Sequence, residues 1–326
     1  MTTQAIVFGG TGFIGTHLCA HLRATDAAAR IVAADIAAPE HPVPDVVHRT
    51  VDVRRPIPLD LAEPGRPTVL YNLAAVHRTP GHPTHEYYET NVLGAVNIGD
   101  FARAIGAEEV VFTSSIAVYG PDETRKSETT PPTPESAYGW SKLLAEAVHR
   151  SWREEQPGRR LTIVRPAVIF GAGEKGNFTR LASTLHRGLF FFPGRRDTVK
   201  ACGYVDELVR AIEFVRARNE AEVLFNFCYG RDYTIEEICA HFHEVGGLPR
   251  PRGTVPLPLM NLAAMVFEVA NACGLRNGIN RDRIQKLVRS TNIEPGVLKE
   301  LGYEYTTDLA AALRAWAAAA PAGEYV

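Results

Sequence analysis

Tyr138 and Lys142 stand at i and i+4 in Tyr138-Gly139-Trp140-Ser141-Lys142. On a helix those positions share a face, so a phenol and an ammonium would lie side by side. A phenol ordinarily titrates near ~10, and an adjacent ammonium favours its ionised form. Such a phenol could exchange a proton with a substrate hydroxyl near neutral pH, which is general acid–base work. A lone Tyr-x-x-x-Lys recurs by chance, so the pair needs company. Ser115 supplies it, in Phe112-Thr113-Ser114-Ser115-Ile116-Ala117-Val118-Tyr119-Gly120. There an apolar strand ends in hydroxyls, and the carboxyl ends of parallel strands line the ligand crevice. Ser115 could orient a reacting oxygen against Tyr138. The plainer alternative for these serines is turn or helix-cap chemistry.

A second constellation sits at the start of the chain. Gly9-Gly10-Thr11-Gly12-Phe13-Ile14-Gly15 follows an apolar strand and opens a helix. Gly9 would allow the tight turn, Gly12 the approach of a pyrophosphate, and Gly15 the close packing of helix on strand. The helix N-terminus adds amide donors and a positive dipole. The second strand ends at Asp35, which is spaced to accept both hydroxyls of an adenosine ribose. Asp35 would repel a 2′-phosphate, and Ile36-Ala37-Ala38-Pro39 offers no arginine to welcome one. The expected cofactor is therefore NAD rather than NADP. Asp52, with Val53 beside it, is a candidate for the adenine end. The alternative for Asp52 is an ordinary strand-end carboxylate.

These residues need a frame. Apolar strands are expected over 4–8, 30–35, 46–53, 68–72, 109–114 and 161–168, with helices over 13–24, 87–105 and 137–156 between them. Apolar strands alternating with helices imply an α/β fold, a doubly wound parallel sheet of the Rossmann kind. The later half is cut by Pro193-Gly194, Gly246-Gly247, Pro256 and Pro258. It reads as a smaller, mostly helical substrate-binding region, with helices over 206–218, 235–245, 261–273, 281–288 and 309–320. A soft boundary divides 1–170 from 171–326, and a strand at 223–227 could return to the sheet.

Composition narrows the class. The 326 residues carry a net charge of −2, so no global pull toward nucleic acid or anionic lipid is expected. Five cysteines without a Cys-x-x-Cys suggest reduced thiols in a cytoplasmic protein. No signal peptide is read at the start. The apolar stretch 255–275 is interrupted by Asn261, Glu268 and Asn271, which favours a packed amphipathic helix over a membrane span. His17 with His21, and His77 with His82 and His85, lack the companions of a metal site, and none is expected.

Several further motifs occur in order. They are Asn72-Leu73-Ala74-Ala75, Asn91-Val92-Leu93-Gly94, the Ser114–Gly120 run, the Tyr138/Lys142 pair, Arg165-Pro166 and Leu301-Gly302-Tyr303. With the glycine turn, they make the sequence resemble the NAD-dependent epimerase/dehydratase family, extended short-chain dehydrogenases acting on nucleotide sugars. The resemblance implies that Ser115, Tyr138 and Lys142 are catalytic and that Lys142 also holds the nicotinamide ribose. It implies cofactor contacts from Phe13, Ile14, Leu73, Ala74, Ala75, His77, Ser114 and Pro166. It makes Asn91 a helix-kink residue near the site. Asn177, Lys200 and Arg281 or Arg283 would meet a substrate diphosphate.

Family dehydratases set an acidic pair beside the serine; Ile116 and Ala117 stand there instead, so dehydration is disfavoured. The implied reaction is epimerisation at C4 through a 4-keto sugar. Galactose-type epimerases follow the Arg165 position with an aromatic pair and an Asn, but this chain has Pro166-Ala167-Val168. A nucleotide 4-keto-sugar reductase, a hydroxysteroid-type dehydrogenase and a non-catalytic NAD sensor are the alternatives. Homodimerisation through the helices at 87–105 and 137–156 is also implied.

Overall fold

Runs such as Ala5-Ile6-Val7-Phe8 and Val110-Val111-Phe112 are apolar at consecutive positions, and such strands need cover on both faces. The computed structural model describes residues 3–78, 81–260, 265, 288–320 and 325. In it β1 (Gln4–Phe8), β2 (Arg30–Asp35), β3 (Val47–Thr50), β4 (Thr68–Asn72), β5 (Glu109–Thr113), β7 (Arg160–Pro166) and β11 (Glu222–Phe227) form one sheet. All pairs are parallel, in the order β11-β7-β5-β4-β1-β2-β3. The chain order reverses between β1 and β4, and a crevice opens there at the carboxyl ends.

Helices cover both faces. On one, α1 (Phe13–Thr25) and α6 (Val205–Arg216) pack Leu18, Leu22, Leu208 and Ile212 against Val7, Tyr71 and Val164. On the other, α3 (Gly94–Ile105) and α4 (Ala137–Glu154) pack Ile98, Phe101, Ala145 and Trp152 against Ile6, Phe8 and Phe112. A separate aromatic core joins α5 (Asn177–His186), α7 (Ile235–Gly246) and the helix Leu309–Ala319 through Phe170, Phe178, Phe242 and Trp316. This is the smaller, largely helical portion.

Three short pairs flank the main sheet: β8 (Val168–Phe170) with β10 (Cys202–Tyr204), β9 (Phe192–Pro193) with β12 (Thr254–Val255), and β6 (Asp122–Lys126) with β13 (Thr291–Ile293). The last pair was not foreseen, because Asp122-Glu123-Thr124-Arg125-Lys126 has no apolar alternation. The strand expected over 161–168 stops at Pro166, which has no N–H for the ladder, and resumes as β8. The strand expected over 46–53 is shorter, since beyond Thr50 the chain turns, with the Arg55 N–H donating to the Asp52 carbonyl at 2.9 Å.

The helix expected over 87–105 is broken into α2 (Thr84–Tyr88), a π-turn at Glu89–Leu93, and α3. The expectations over 261–273 and 281–288 lie outside the described residues, apart from Met265 and Val288. The two portions are pinned by His17 on α1, which lies 2.7 Å from an oxygen of Asp206 and 3.0 Å from the carbonyl of Ala172. Among the described residues no helix is long and apolar enough to cross a membrane.

Candidate active site

Ser136 caps α4, its hydroxyl accepting from the Gly139 N–H at 3.0 Å, and so fixes where the helix begins. Tyr138 and Lys142 then fall on the face turned toward β5, as the i, i+4 spacing requires. Ser115 lies two residues beyond the end of β5 and caps the 3₁₀ turn Ile116–Tyr119, accepting from the Ala117 N–H at 3.1 Å. It also shares a hydrogen bond with the Tyr138 hydroxyl. Lys142 is 2% exposed and donates to the Thr113 carbonyl at 2.7 Å, with its ammonium 4.8 Å from the centre of the Phe112 ring. The three expected catalytic residues are thus brought together at the end of one strand.

Their electrostatics differ from the expectation of a phenol acidified by its neighbour. Burial pushes the Tyr138 phenol up to about 12, and the bond with Ser115 only partly offsets this. Burial pulls the Lys142 ammonium down to about 7, while Glu146 works the other way. The protein by itself therefore holds the phenol protonated.

The glycine turn is built as expected. Gly9 has φ +77°, and a Cβ there would lie 2.8 Å from the backbone of Leu73 and Ala74. A Cβ on Gly15 would lie 2.2 Å from the Gly9 carbonyl. Gly12 is different: only the Gly9 carbonyl, at 3.3 Å, would meet its Cβ. From within the fold Gly12 is thus less crowded than Gly9 or Gly15, and its bare Cα leaves the start of α1 open, as a pyrophosphate there would need. Gly10, given no role above, is needed too, since its Cβ would fall 2.7 Å from Ala33.

Asp35 closes this site, its carboxylate accepting from the Thr11 N–H at 3.3 Å and from the Ala37 N–H at 3.3 Å. It stands beside the glycine turn with exposed Ile36 next to it. Asp52 is engaged by the Arg54 guanidinium at 2.8 and 2.9 Å, and that bond lowers its pKa. The adenine would have to share it. Val53 is buried at 6% exposure and packs against Gly94, with its carbonyl accepting from Asn97.

Asn91 sits in the π-turn, where local breaks in helical pairing are common at working sites. Its side chain accepts from the Val76 N–H at 2.9 Å and donates to the Ser141 hydroxyl at 2.8 Å. It thereby clamps the segment Leu73-Ala74-Ala75-Val76, which leaves β4, onto the catalytic helix. His77 lies exposed just beyond. Pro166 ends β7, buried.

Ser114 turns its side chain into the fold. It is 1% exposed and its hydroxyl donates to Glu146 at 2.6 Å, so only its backbone is left for a ligand. Glu146 was missed, although it lies one turn beyond Lys142. It is fully buried, holds the Arg165 guanidinium through two bonds of 2.7 and 2.8 Å, and Arg165 donates onward to Tyr119.

Asn177 opens α5, exposed, with its amide oxygen accepting from Arg180 at 3.3 Å. Lys200 is half-buried and donates to the Arg289 carbonyl at 2.5 Å; burial lowers its pKa to about 8. Arg281 and Arg283 lie outside the described residues. Among the described residues no cluster of His, Cys, Asp or Glu could hold a metal ion.

A parallel sheet with a glycine-turn dinucleotide cradle and a Ser/Tyr/Lys set at the end of β5 defines the short-chain dehydrogenase class of architecture. Residues 5–228 match the family described as NAD dependent epimerase/dehydratase, and the chain belongs to that family. Its cofactor is accordingly NAD. An Escherichia coli O157:H7 relative, N-acetyl-alpha-D-glucosaminyl-diphospho-ditrans,octacis-undecaprenol 4-epimerase, is 31% identical over 93% of this chain and 91% of its own length. The UDP-glucose 4-epimerase of Vibrio cholerae is 25% identical over 79% of this chain and 80% of its own. The solved UDP-N-acetylglucosamine 4-epimerase of Methanobrevibacter ruminantium shares the fold at a TM-score of 0.77, with 17% identity and 97% of each chain covered.

Proposed function

We propose that this protein is an NAD-dependent 4-epimerase of a nucleotide-diphosphate sugar. The observation that carries the reading is the joining of Ser115, Tyr138 and Lys142 at the end of β5, in a chain whose bacterial relatives are 4-epimerases. NAD, when bound, supplies a hydride acceptor and donor together with a positively charged ring. Tyr138 takes the proton of the substrate O4 as the carbinol is oxidised, and returns it when the 4-ketone is reduced on its other face. Ser115 orients that oxygen. Lys142 holds the nicotinamide ribose and steadies the charge on the phenol. Ile116 and Ala117 offer no acid to expel a hydroxyl, so the keto sugar is turned over rather than dehydrated.

Gly12, Gly15, Phe13 and Ile14 at the helix start, with Asp35, hold the dinucleotide phosphates and ribose; Leu73, Ala74, Ala75 and His77 run past it. Asn177, Lys200 and Arg281 take the substrate diphosphate, since convergent cationic and amide donors suit phosphate oxygens. We place the enzyme in the cytoplasm as a homodimer. Supporting the dimer, Leu93, Val96, Trp140 and Leu144 are exposed at 43%, 37%, 47% and 43% on the two helices that would meet.

A second reading changes only the carrier. The Escherichia coli relative, matched over nearly the whole chain, acts on a polyprenyl-diphosphate sugar. The diphosphate contacts are the same, and a lipid replaces the nucleoside.

The test is incubation with UDP-N-acetylglucosamine, UDP-glucose and an undecaprenyl-diphosphate sugar, with and without NADH. The expected result is a 4-epimer without net NADH loss, reduced by roughly 10²- to 10⁴-fold in Tyr138→Phe. Stoichiometric NADH consumption with a 4-keto sugar would establish a reductase instead.

A further inference from the structure

The strands β9 and β12 form a small ribbon away from the main sheet. Along the segment that leads into β9 exposure alternates: Leu189 is 57% exposed, Phe190 7%, Phe191 37% and Phe192 3%. Phe190 and Phe192 point inward with rings 5.5 Å apart and join the aromatic core. They anchor the ribbon, and Leu189 and Phe191 are held out in water. The neighbouring strand runs into Pro256, Pro258 and Leu259, the last 57% exposed. Hydrogen bonds from the Phe192 N–H to the Gly253 carbonyl at 2.9 Å and from the Gly194 N–H to the Val255 carbonyl at 2.8 Å bind the two apolar edges together.

Acidic residues are sparse in the segments that carry this apolar tip; those beside it, Glu123, Asp197 and Glu236, are paired with Arg195 and Arg196. No Asp or Glu occurs from residue 175 to 196 or from 245 to 267, although the whole chain has a net charge of −2. Arg187, Arg250 and Arg252 are exposed, and among the described residues no carboxylate pairs with them. Gly188 lies beneath the Arg252 guanidinium, 3.6 Å from where its Cβ would be. Exposed apolar side chains on segments that also carry exposed arginines match the interface of an anionic bilayer, which takes apolar groups at the acyl boundary and cations at the headgroups.

We infer that the β9/β12 ribbon is a docking surface for an anionic phospholipid membrane. The ribbon is tied to the site, since Arg195 pairs with Glu123 on β6 at 3.2 Å, and β6 follows the turn that begins at Ser115. Docking therefore sets the crevice near the headgroup plane, where a lipid-borne sugar diphosphate is found. That use of the surface rests on the polyprenyl reading above; the surface itself rests on the ribbon alone. It is a peripheral contact and involves no span.

The experiment is co-sedimentation of the full chain with vesicles of phosphatidylcholine alone or mixed with phosphatidylglycerol, at low and high salt. The wild-type protein should pellet with the mixed vesicles, weakly with phosphatidylcholine, and less as salt rises. Arg187→Gln with Arg252→Gln should weaken partitioning by about fivefold per arginine. Leu189→Ser with Phe191→Ser should weaken it further, with an unchanged melting temperature showing that the fold is intact. Wild-type protein that stays in solution with anionic vesicles would overturn the inference. So would variants that pellet like wild type. A fall in solution mass in the serine variant would also overturn it, by making the ribbon a contact between copies. Vesicle binding is read without turnover, so a failure of the epimerase assignment would show separately in the sugar assay.

Discussion

A Cβ on Gly139 would lie 2.4 Å from the carbonyl oxygen of Ala117. The helix that bears Tyr138 therefore rests directly on the turn that begins with Ser115, and only a bare Cα permits the approach. Gly139→Ala must lift α4 away or distort the turn. Because misplacement of reacting groups by ~1 Å can cost about 100-fold, kcat/KM should fall by that order, with a lower melting temperature and NAD binding retained. Steady-state kinetics beside a calorimetric scan would check this.

Tyr138 carries a phenol that burial raises to about 12. A cation placed beside it favours the phenolate and lowers that value. Ultraviolet difference titration should show phenolate absorbance appearing at lower pH when NAD is added than without it. NADH, whose ring is neutral, should produce little change, and Tyr138→Phe should abolish the difference.

Lys142 has an ammonium drawn down to about 7 by burial, from an ordinary 10.5. Between those values the unfolded chain binds the extra proton, so this residue makes stability rise with pH across that window. The cost of burying the charge is largest below pH 7. Lys142→Met should therefore melt higher than wild type in acid and lose that advantage toward alkaline pH. A series of thermal scans across pH measures it, and a constant difference would refute the burial argument.

Trp140 and Leu144 expose apolar surface one helical turn apart, near Leu93 and Val96. Trp140→Glu should convert a dimer to a monomer, and light scattering should report half the mass. An unchanged mass would remove these helices from the subunit contact.

The parts of the site legible in the sequence are those set by local spacing. The Tyr138/Lys142 pair, the glycine turn and Asp35 at a strand end each follow from a few neighbouring residues and the period of one element. Asn91 was placed by resemblance, and the π-turn gives it a physical reason. The unread parts depend on contacts across the fold. Glu146 matters because Ser114 and Arg165 meet it from two different strands. Gly139 matters because Ala117 lies above it. The pairing of β6 with β13 joins a charged segment to an uncharged one more than 160 residues away, as the Thr291–Asp122 register shows, and no periodicity announces it. Asp52 reads from the sequence as a candidate for the adenine end, with an ordinary strand-end carboxylate as the alternative, and Arg54 decides its present bonding.

His17 joins α1 to Asp206 and to the carbonyl of Ala172, and both of those partners can only accept. A neutral imidazole has one N–H, so the two contacts together require the doubly protonated ring. Burial opposes that charge, yet the bonds to Asp206 and Ala172 outweigh it and raise the pKa. The stabilisation is complete below the unfolded value of 6.5 and fades as pH climbs through the raised one. Mild alkali thus undoes one stitch in the seam between the parallel-sheet portion and the smaller aromatic-cored portion, while leaving both cores whole.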